Sequence, residues 1–174
     1  MCRRDRAYYR TWRTRFATAG GVLHQQAIHG LALALRLLPP GPVSSCTADV
    51  WRERRWAESE DRVAAEIGFA SGAVLTVDAR VDSDEPTRHE VLLDLANGQR
   101  LRVRGRNLEA GLGRTDTAPS DQTLRHAMYH ALSVADRHSF HPCLFPLSAL
   151  RRPLEVIDHV YRTAREVRPA GSAT

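Results

Sequence analysis

Residues 19–38 read AGGVLHQQAIHGLALALRLL, and the rest of the chain can be interpreted as a scaffold around this stretch. Apolar side chains recur in it at three- and four-residue steps, at Leu23, Ala27, Leu31, Ala34, Leu35 and Leu38. Such spacing places them along one stripe of a helix. Pro39 and Pro40 follow directly, and proline cannot continue a helix. The sequence therefore predicts an amphipathic helix over about residues 21–38, with its apolar stripe against a core.

Polar side chains cluster in the first two turns of this predicted helix. They are His24, Gln25, Gln26 and His29. Gln25 and His29 are four residues apart, so we expect them on one face of the helix. The first turn of a helix has unpaired N–H groups and a positive dipole end, which suits anionic or hydroxyl-rich ligands. The sequence therefore predicts a ligand-binding corner at this end of the helix.

Length and composition predict one soluble domain. The chain has 174 residues, of which 43% are hydrophobic and 26% are charged, as is ordinary for a globular protein. We expect an arm or loop over residues 1–18, a single domain over 19–167 and a frayed tail over 168–174. The sequence shows no signal peptide and no apolar run that could span a bilayer, and its 3 cysteines are scattered. We therefore expect a cytoplasmic protein without a membrane partner.

The basic residues are all arginine, 25 in number, and the formal net charge is +5. Without lysine the chain can supply no Schiff base. An arginine-rich arm over residues 3–15 is one interpretation of the charge, and it would indicate nucleic acid as a partner. The 20 acidic residues are interspersed with the arginines, however, and no nucleic-acid-binding module is recognisable. We therefore expect a solvated, ion-paired surface and no nucleic-acid partner.

Strand patterns dominate the middle of the chain. A β-rich stretch predicts a strand over residues 43–54. Two hairpins are predicted, one around Ser71-Gly72 with arms 62–69 and 73–81, and one around Asn97-Gly98 with arms 89–95 and 100–103. Residues 107–120 are polar and are predicted to form a surface loop.

Helices are predicted again towards the end of the chain. One covers residues 122–138, where Ser120 or Asp121 can cap it, and a final one covers residues 148–167. Because strands occupy the middle and helices flank them, the sequence predicts an α+β fold. We expect an open, mostly antiparallel sheet with helices packed on one face.

Three segments, in order along the chain, resemble one family. The first is residues 4–34, with Ala7-Tyr8-Tyr9-Arg10, Trp12-Arg13 and the glycine-led helix; the second is Glu58-Ser59-Glu60-Asp61 with the following hairpin; the third runs from Pro153 to Ala164. Together they resemble the C-terminal domain of the Gfo/Idh/MocA oxidoreductases, which include glucose–fructose oxidoreductase and inositol dehydrogenases. The resemblance implies an open antiparallel sheet with helices on one face, whose other face commonly makes subunit contacts.

The cofactor half of that family has no counterpart in the sequence. Family members carry an amino-terminal Rossmann domain that binds NAD(P), with a glycine-rich loop and a Glu-Lys-Pro motif. Here Gly111-Leu112-Gly113 lacks the third glycine of the fingerprint, and there is no lysine. The chain also resembles the family only from beyond the first strand of its C-terminal sheet. We therefore expect no dinucleotide to bind this chain alone, and NAD(P) is implied only with a Rossmann-bearing partner.

The resemblance also implies roles for residues of the opening helix. His29 occupies the place of the family histidine, which sits near the substrate carbon and acts as acid or base, as suits an imidazole. Gln25 stands where the family often has a carboxylate, so His29 would lack the charge that orients it. The alternative is that His29 is a partly buried helix residue bonded to backbone. The expected substrate-binding residues are Gln25, Gln26, His24, Arg13 and Trp12.

Other reactive residues have simpler explanations. His126 and His130 have the spacing of a zinc-binding helix, but a solvated face is the more ordinary interpretation, and we expect no metal site. Cys143 could be a nucleophile, although such a cysteine is usually a small buried hydrophobe. We expect a structural or interface role for Glu60 and Asp61. Trp51 and Trp56 lie among arginines and could stack with them on the exposed face of the sheet, a surface suited to a dimer interface.

Three functions are compatible with these patterns. The preferred one is the substrate-binding and oligomerisation domain of a Gfo/Idh/MocA-type oxidoreductase acting on a sugar, polyol or similar metabolite. It would form a homo-oligomer through the sheet face or work with a Rossmann-bearing partner chain. The first alternative is a stand-alone isomerase, epimerase or cyclase that uses His29. The second is a non-catalytic dimerisation module.

Overall fold

The computed structural model describes residues 7, 12–18, 20–54, 56–81, 90–110, 114–134 and 147–167, without the side chains of Trp12 and Arg114. The chain divides into two compact units. The first comprises Met1–Thr87 and Arg152–Thr174, and the second comprises Arg88–Arg151. The expectation of one domain over residues 19–167 stays a prediction. Tyr8 and Cys143 lie outside the described residues, as do the tail 168–174 and, within the predicted arm 1–18, residues 1–6 and 8–11.

The first unit contains a four-stranded sheet. Its strands are β1 (Val43–Trp51), β2 (Arg62–Phe69), β3 (Val74–Arg80) and β8 (Arg165–Val167), in the order β3-β2-β1-β8. The pairs β1–β2 and β2–β3 are antiparallel, and β8 runs parallel to β1. The hairpin expected around Ser71-Gly72 is present, and Gly72 has the positive φ of 82° that the turn requires.

Helices cover one face of this sheet. Residues Leu23–Ala27 form a π-helical turn that continues into α1 (Ile28–Leu37), while α3 spans Arg151–Thr163. Buried side chains from β2 and both helices form one core cluster: Val63, Ala65, Ile67, Phe69, Leu31, Leu35, Val156, Ile157 and Val160. Buried residues alternate with more exposed ones along β2, so its other face carries Arg62 and Glu66 together with the small residues Ala64 and Gly68.

An arginine fixes the carboxyl end of α1. The guanidinium of Arg152 donates from Nη1 to the Leu35 carbonyl (2.7 Å) and from Nη2 to the Pro39 carbonyl (3.0 Å). These carbonyls lie at a helix end where backbone acceptors have no intrahelical partner. The predicted stop at Pro39-Pro40 is confirmed, since the helix ends at Leu37.

The second unit is a β meander with one helix. Its strands are β4 (Glu90–Asp94), β5 (Arg100–Arg104), β6 (Asn107–Ala110) and β7 (Arg114–Thr117), in the order β4-β5-β6-β7, all antiparallel. The helix α2 (Asp121–Val134) follows. The N–H of Thr123 donates to Ser120 Oγ at 3.2 Å, so the expected cap by Ser120 is confirmed.

The predicted α+β class with mostly antiparallel sheets and helices on one face is confirmed, with the strands divided between two sheets. Two local predictions are wrong. The expected loop over 107–120 contains β6 and β7. β6 follows β5 after a turn at Gly105 and pairs with β7, and neither strand has the alternation of apolar and polar residues that would predict it. The final helix stops at Thr163, because residues 165–167 pair with β1 and Arg165 Nε donates to Asp49 Oδ1 (3.0 Å).

Candidate functional site

The two glycines at the start of the opening helix are required by close contacts. Gly21 has φ +105°, a conformation that side chains rarely adopt, and a Cβ there would collide with the Tyr161 hydroxyl and lie 2.8 Å from Glu60 Oε2. A Cβ on Gly20 would lie 2.7 Å from the carbonyl oxygen of Arg13. A side chain at either position would therefore force neighbouring atoms to shift.

A buried carboxylate holds this helix start. Glu60 is fully buried, and its Oε1 accepts hydrogen bonds from the Val22 N–H (2.6 Å) and the Tyr161 hydroxyl (2.6 Å). Burial, and then the charge of Glu60, raise the pKa of Tyr161 well above its usual range. Glu60 therefore satisfies one of the orphan donors of the helix across 38 residues of sequence. The predicted suitability of this helix end for anions is wrong at Val22, because a carboxylate of the chain already occupies it.

Asp61 braces the loop beside Glu60. Its Oδ2 accepts from the backbone N–H groups of Glu53 (2.8 Å) and Arg54 (3.1 Å), and its Oδ1 pairs with the Arg54 guanidinium. Arg54 Nη2 donates in turn to the Glu60 carbonyl at 3.0 Å. Both carboxylates are therefore committed to holding backbone and neighbouring side chains, in agreement with the structural role expected for the pair.

The polar residues expected to bind substrate lie mainly on the π-helical turn. Gln25 Nε2 donates to the carbonyl of Arg13 at 3.1 Å, and this carbonyl also accepts from Ser59 Oγ at 3.0 Å. The structure thus brings Arg13 and Gln25 together through the backbone of Arg13. Gln26 is half-buried on the same turn. Trp12 begins a short 3-10 turn over Trp12–Thr14. π-Helical turns of this kind occur often at functional sites.

The two histidines of the helix have different surroundings. His24 Nδ1 lies 3.2 Å from the Gly20 carbonyl oxygen, and since a carbonyl can only accept, Nδ1 is the donor in this contact. The His24 ring also lies 5.5 Å from the ring of Tyr161. His29 is exposed to solvent near the start of α1. His29 is therefore not the partly buried residue of the alternative interpretation, and its role in binding or catalysis stays a prediction.

A cleft of about 460 Å³, here named the aromatic cleft, opens in the first unit. Its floor includes Phe16, His24, Val50 and Tyr161, and its rim is formed by Arg52, Asp158, Arg162 and Glu166. Among the expected substrate-binding residues whose side chains the structure describes, only His24 lines this cleft. Sequence patterns gave no signal for it, because its walls come from four separated segments.

The opposite face of the first sheet carries paired charges and one tryptophan. The guanidinium of Arg62 lies 4.7 Å from the centroid of the Trp51 ring and also donates to Asp78 (3.1 Å). The expected stacking of Trp51 with arginine is therefore present. Trp56 also has an arginine nearby, with the guanidinium of Arg54 5.9 Å from its ring centroid.

The other reactive residues form no evident centre. His126 and His130 are exposed on α2. Among the described residues, no group of three histidine, cysteine or acidic side chains could hold a metal ion. No helix in the described part of the chain has the length and apolar character needed to cross a membrane.

Comparison with known proteins gives one family match. The model of the GFO/IDH/MocA C-terminal domain matches residues 1–108. No curated protein matches the sequence.

Solved structures show the same fold at low sequence identity. The WlbA dehydrogenase from Bordetella pertussis, in complex with NADH and UDP-GlcNAcA, is 21% identical with a TM-score of 0.57, covering 92% of this chain and 49% of that one. The aldose-aldose oxidoreductase from Caulobacter crescentus, complexed with glycerol, is 22% identical with a TM-score of 0.62, and the match covers 93% of this chain and 50% of that one. D-galactose-1-dehydrogenase from Rhizobium etli is 13% identical with a TM-score of 0.65, and the match covers 96% of this chain and 51% of that one. The chain therefore spans about half the length of these proteins.

Proposed function

The chain belongs to the GFO/IDH/MocA C-terminal-domain family, and on that premise we propose that it is the substrate-side domain of an NAD(P)-dependent oxidoreductase. Its substrate is a sugar, a polyol or a related hydroxylated metabolite. One observation carries the proposal: the helix that bears His29 is fixed at its start by Glu60 and Gly21, while His29 itself stays exposed to solvent. A rigid base on an open surface suits a site that a second domain completes.

In this proposal His29 exchanges a proton with a substrate hydroxyl, while Gln25 and Gln26 orient the ligand beside it. The WlbA dehydrogenase, in complex with a nucleotide sugar, and the aldose-aldose oxidoreductase, complexed with glycerol, support the choice of substrate class. Imidazole is the natural acid or base near neutral pH. Gln25 supplies an amide rather than a carboxylate: its Nε2 donates to the Arg13 carbonyl, and its Oε1 would accept from a ligand hydroxyl without changing the charge of the site.

The start of the opening helix does not fit NAD(P). A dinucleotide phosphate is usually held by free N–H groups at a helix start. The opening helix has its Val22 N–H bonded to the Glu60 carboxylate instead, and that negative charge would repel a phosphate. We therefore assign the cofactor to a separate Rossmann domain, and no step of the reaction on this chain passes through it.

The face of the first sheet that carries Trp51 and Arg62 is proposed as the oligomer contact. It combines an aromatic ring with arginine, a combination that interface cores favour. The size of the particle, measured by light scattering, tests this assignment: Trp51→Glu should shift a dimer towards monomer, and Tyr129→Glu in the second unit is the control.

The proposed function is tested by purifying the tagged full chain from its own cells and identifying any co-purifying Rossmann-bearing chain. NADH formation by that complex is then followed with a panel of sugars and polyols. Loss of a general base typically lowers the rate about 100- to 10,000-fold, so we expect His29→Gln to lower kcat to that extent. His126→Gln, on exposed α2, is the matched control and should keep the wild-type kcat.

Two outcomes would contradict the proposal. Turnover of a metabolite by the chain alone, without nucleotide, would favour the isomerase, epimerase or cyclase alternative. A wild-type kcat in His29→Gln would remove His29 from the chemistry.

A further inference from the structure

We infer that the aromatic cleft binds a neutral, hydroxyl-rich ring of monosaccharide size. This site is distinct from the proposed substrate site, because Gln25, Gln26 and His29 do not line the cleft. It would therefore exist whether or not His29 takes part in catalysis.

The floor of the cleft offers flat, weakly polar surfaces. The rings of Phe16 and Tyr161 have centroids 4.9 Å apart at an angle of 57°, and the His24 ring follows at 5.5 Å from Tyr161. Val50 is buried beneath them. The C–H face of a saturated ring can pack on such a floor, since aromatic side chains supply large contact areas in binding sites. The volume of about 460 Å³ lies within the roughly 300–1,000 Å³ that is usual for small-molecule sites.

The rim of the cleft consists of two ion pairs. Arg52 Nη1 lies 2.7 Å from Glu166 Oε2, and Arg162 Nη2 lies 2.6 Å from Asp158 Oδ2. Each pair presents arginine N–H donors next to carboxylate acceptors. A hydroxyl group both donates and accepts, so neighbouring hydroxyls can bond to such a pair without separating its charges.

The charge of the rim argues against an ionic ligand. Two arginines and two carboxylates cancel, so an anion would meet a repelling carboxylate beside each attracting arginine, and a cation would meet the reverse. Either ion would have to displace a partner that is already in place. The rim side chains of Asp158, Arg162 and Glu166 are 64%, 68% and 52% exposed, so the entrance is open to a ligand from solvent.

The test uses the full chain and saturation-transfer NMR. D-Glucose, D-galactose and myo-inositol are titrated as neutral rings, and L-leucine and D-glucuronate as zwitterionic and anionic probes. The rim variants are Arg162→Gln and Glu166→Gln, whose side chains are exposed enough to change without unfolding the chain. The matched controls are Arg125→Gln on exposed α2 and Glu66→Gln on the opposite face of the first sheet.

We expect at least one neutral ring to bind. Since a hydrogen bond to a charged group is worth about 1.5–3 kcal/mol, each rim variant should raise its Kd about tenfold or more. Both controls should keep the wild-type Kd.

The inference is overturned if none of the neutral rings binds, if leucine or glucuronate binds more tightly, or if the rim variants leave Kd unchanged. Binding that is lost in His29→Gln but retained in the rim variants would also overturn it. That last result would place the sugar at the opening helix and support the proposed function.

Discussion

The start of the opening helix and the β meander of the second unit use carboxylates in opposite ways. Glu60 is fully buried and holds a backbone N–H and a tyrosine hydroxyl. In the meander, Asp94 pairs with Arg100 and Glu90 pairs with Arg102, but these pairs lie at the surface. When an exposed ion pair is broken, water solvates both charged groups, so little free energy is lost. When a buried carboxylate is removed, water cannot reach the buried donors that it bonded, and they stay without an acceptor. We therefore expect stability to depend on the first group and hardly at all on the second.

Removing the buried carboxylate should have the largest effect. Glu60→Ala leaves the Val22 N–H and the Tyr161 hydroxyl buried without an acceptor, so we expect the free energy of unfolding to fall by about 3–5 kcal/mol. Urea denaturation followed by far-UV circular dichroism measures this change. Glu60→Gln keeps one acceptor oxygen and should cost less. Equal losses in both variants would show that the carboxylate is not the group that matters.

A side chain added at Gly21, next to Glu60, should cause the next largest loss of stability. Gly21→Ala combines a positive φ with contacts to Tyr161 and Glu60, and we expect a loss of about 2–4 kcal/mol. Gly72 is the matched control, because its φ is +82° but a Cβ added there would meet nothing within 4 Å. Gly72→Ala should cost only about 1 kcal/mol. Equal losses at both positions would assign the effect to backbone strain alone.

Tyr161, in the same cluster, should make the stability of the fold depend on pH in the alkaline range. Its pKa is raised above the ordinary value of 10.0, so above that pH the unfolded chain releases this proton while the folded chain keeps it. Unfolding should therefore become easier as pH rises through 10, by up to about 1.4 kcal/mol per pH unit from this residue. Tyr161→Phe should cost about 1 kcal/mol at neutral pH and flatten that alkaline decline. An unchanged slope in urea titrations above pH 10 would contradict the assignment.

The exposed pair in the meander should give the smallest effect. The hydrogen bond from Arg100 lowers the pKa of Asp94, but both groups are in solvent, where water and salt screen the interaction. We expect Asp94→Asn to leave the urea midpoint within experimental error at neutral pH. A clear loss of stability would show that the meander depends on its surface charges after all.

Much of the local structure could be predicted from the sequence. The apolar stripe of the opening helix, its prolines, and the Ser71-Gly72 and Asn97-Gly98 turns all correspond to elements of the structure, because these signals act between residues close in sequence. The strands β6, β7 and β8 were missed. They are short and polar, and they form because a neighbouring strand offers hydrogen bonds, which no local pattern reveals.

The candidate site shows the same division. The polar residues within 24–29 could be recognised in the sequence as a cluster on an amphipathic helix, and a structural or interface role was expected for Glu60 and Asp61. Nothing local connected Glu60 with Tyr161, which lie 101 residues apart. The aromatic cleft was not predicted for the same reason, since Phe16 meets Tyr161 of α3, and Arg52 meets Glu166 of β8, only in the folded chain.

The sequence alone was enough to predict the opening helix, the two glycine-turn hairpins, the α+β class and the family, because periodicity, turn residues and an ordered set of motifs are properties of the chain. Only the tertiary structure decided what the helix start does. There a carboxylate from one loop and a hydroxyl from the last helix meet a glycine whose side chain must be absent. Such a cluster depends on burial and on atoms brought within hydrogen-bonding distance, and these arise only when distant segments pack together.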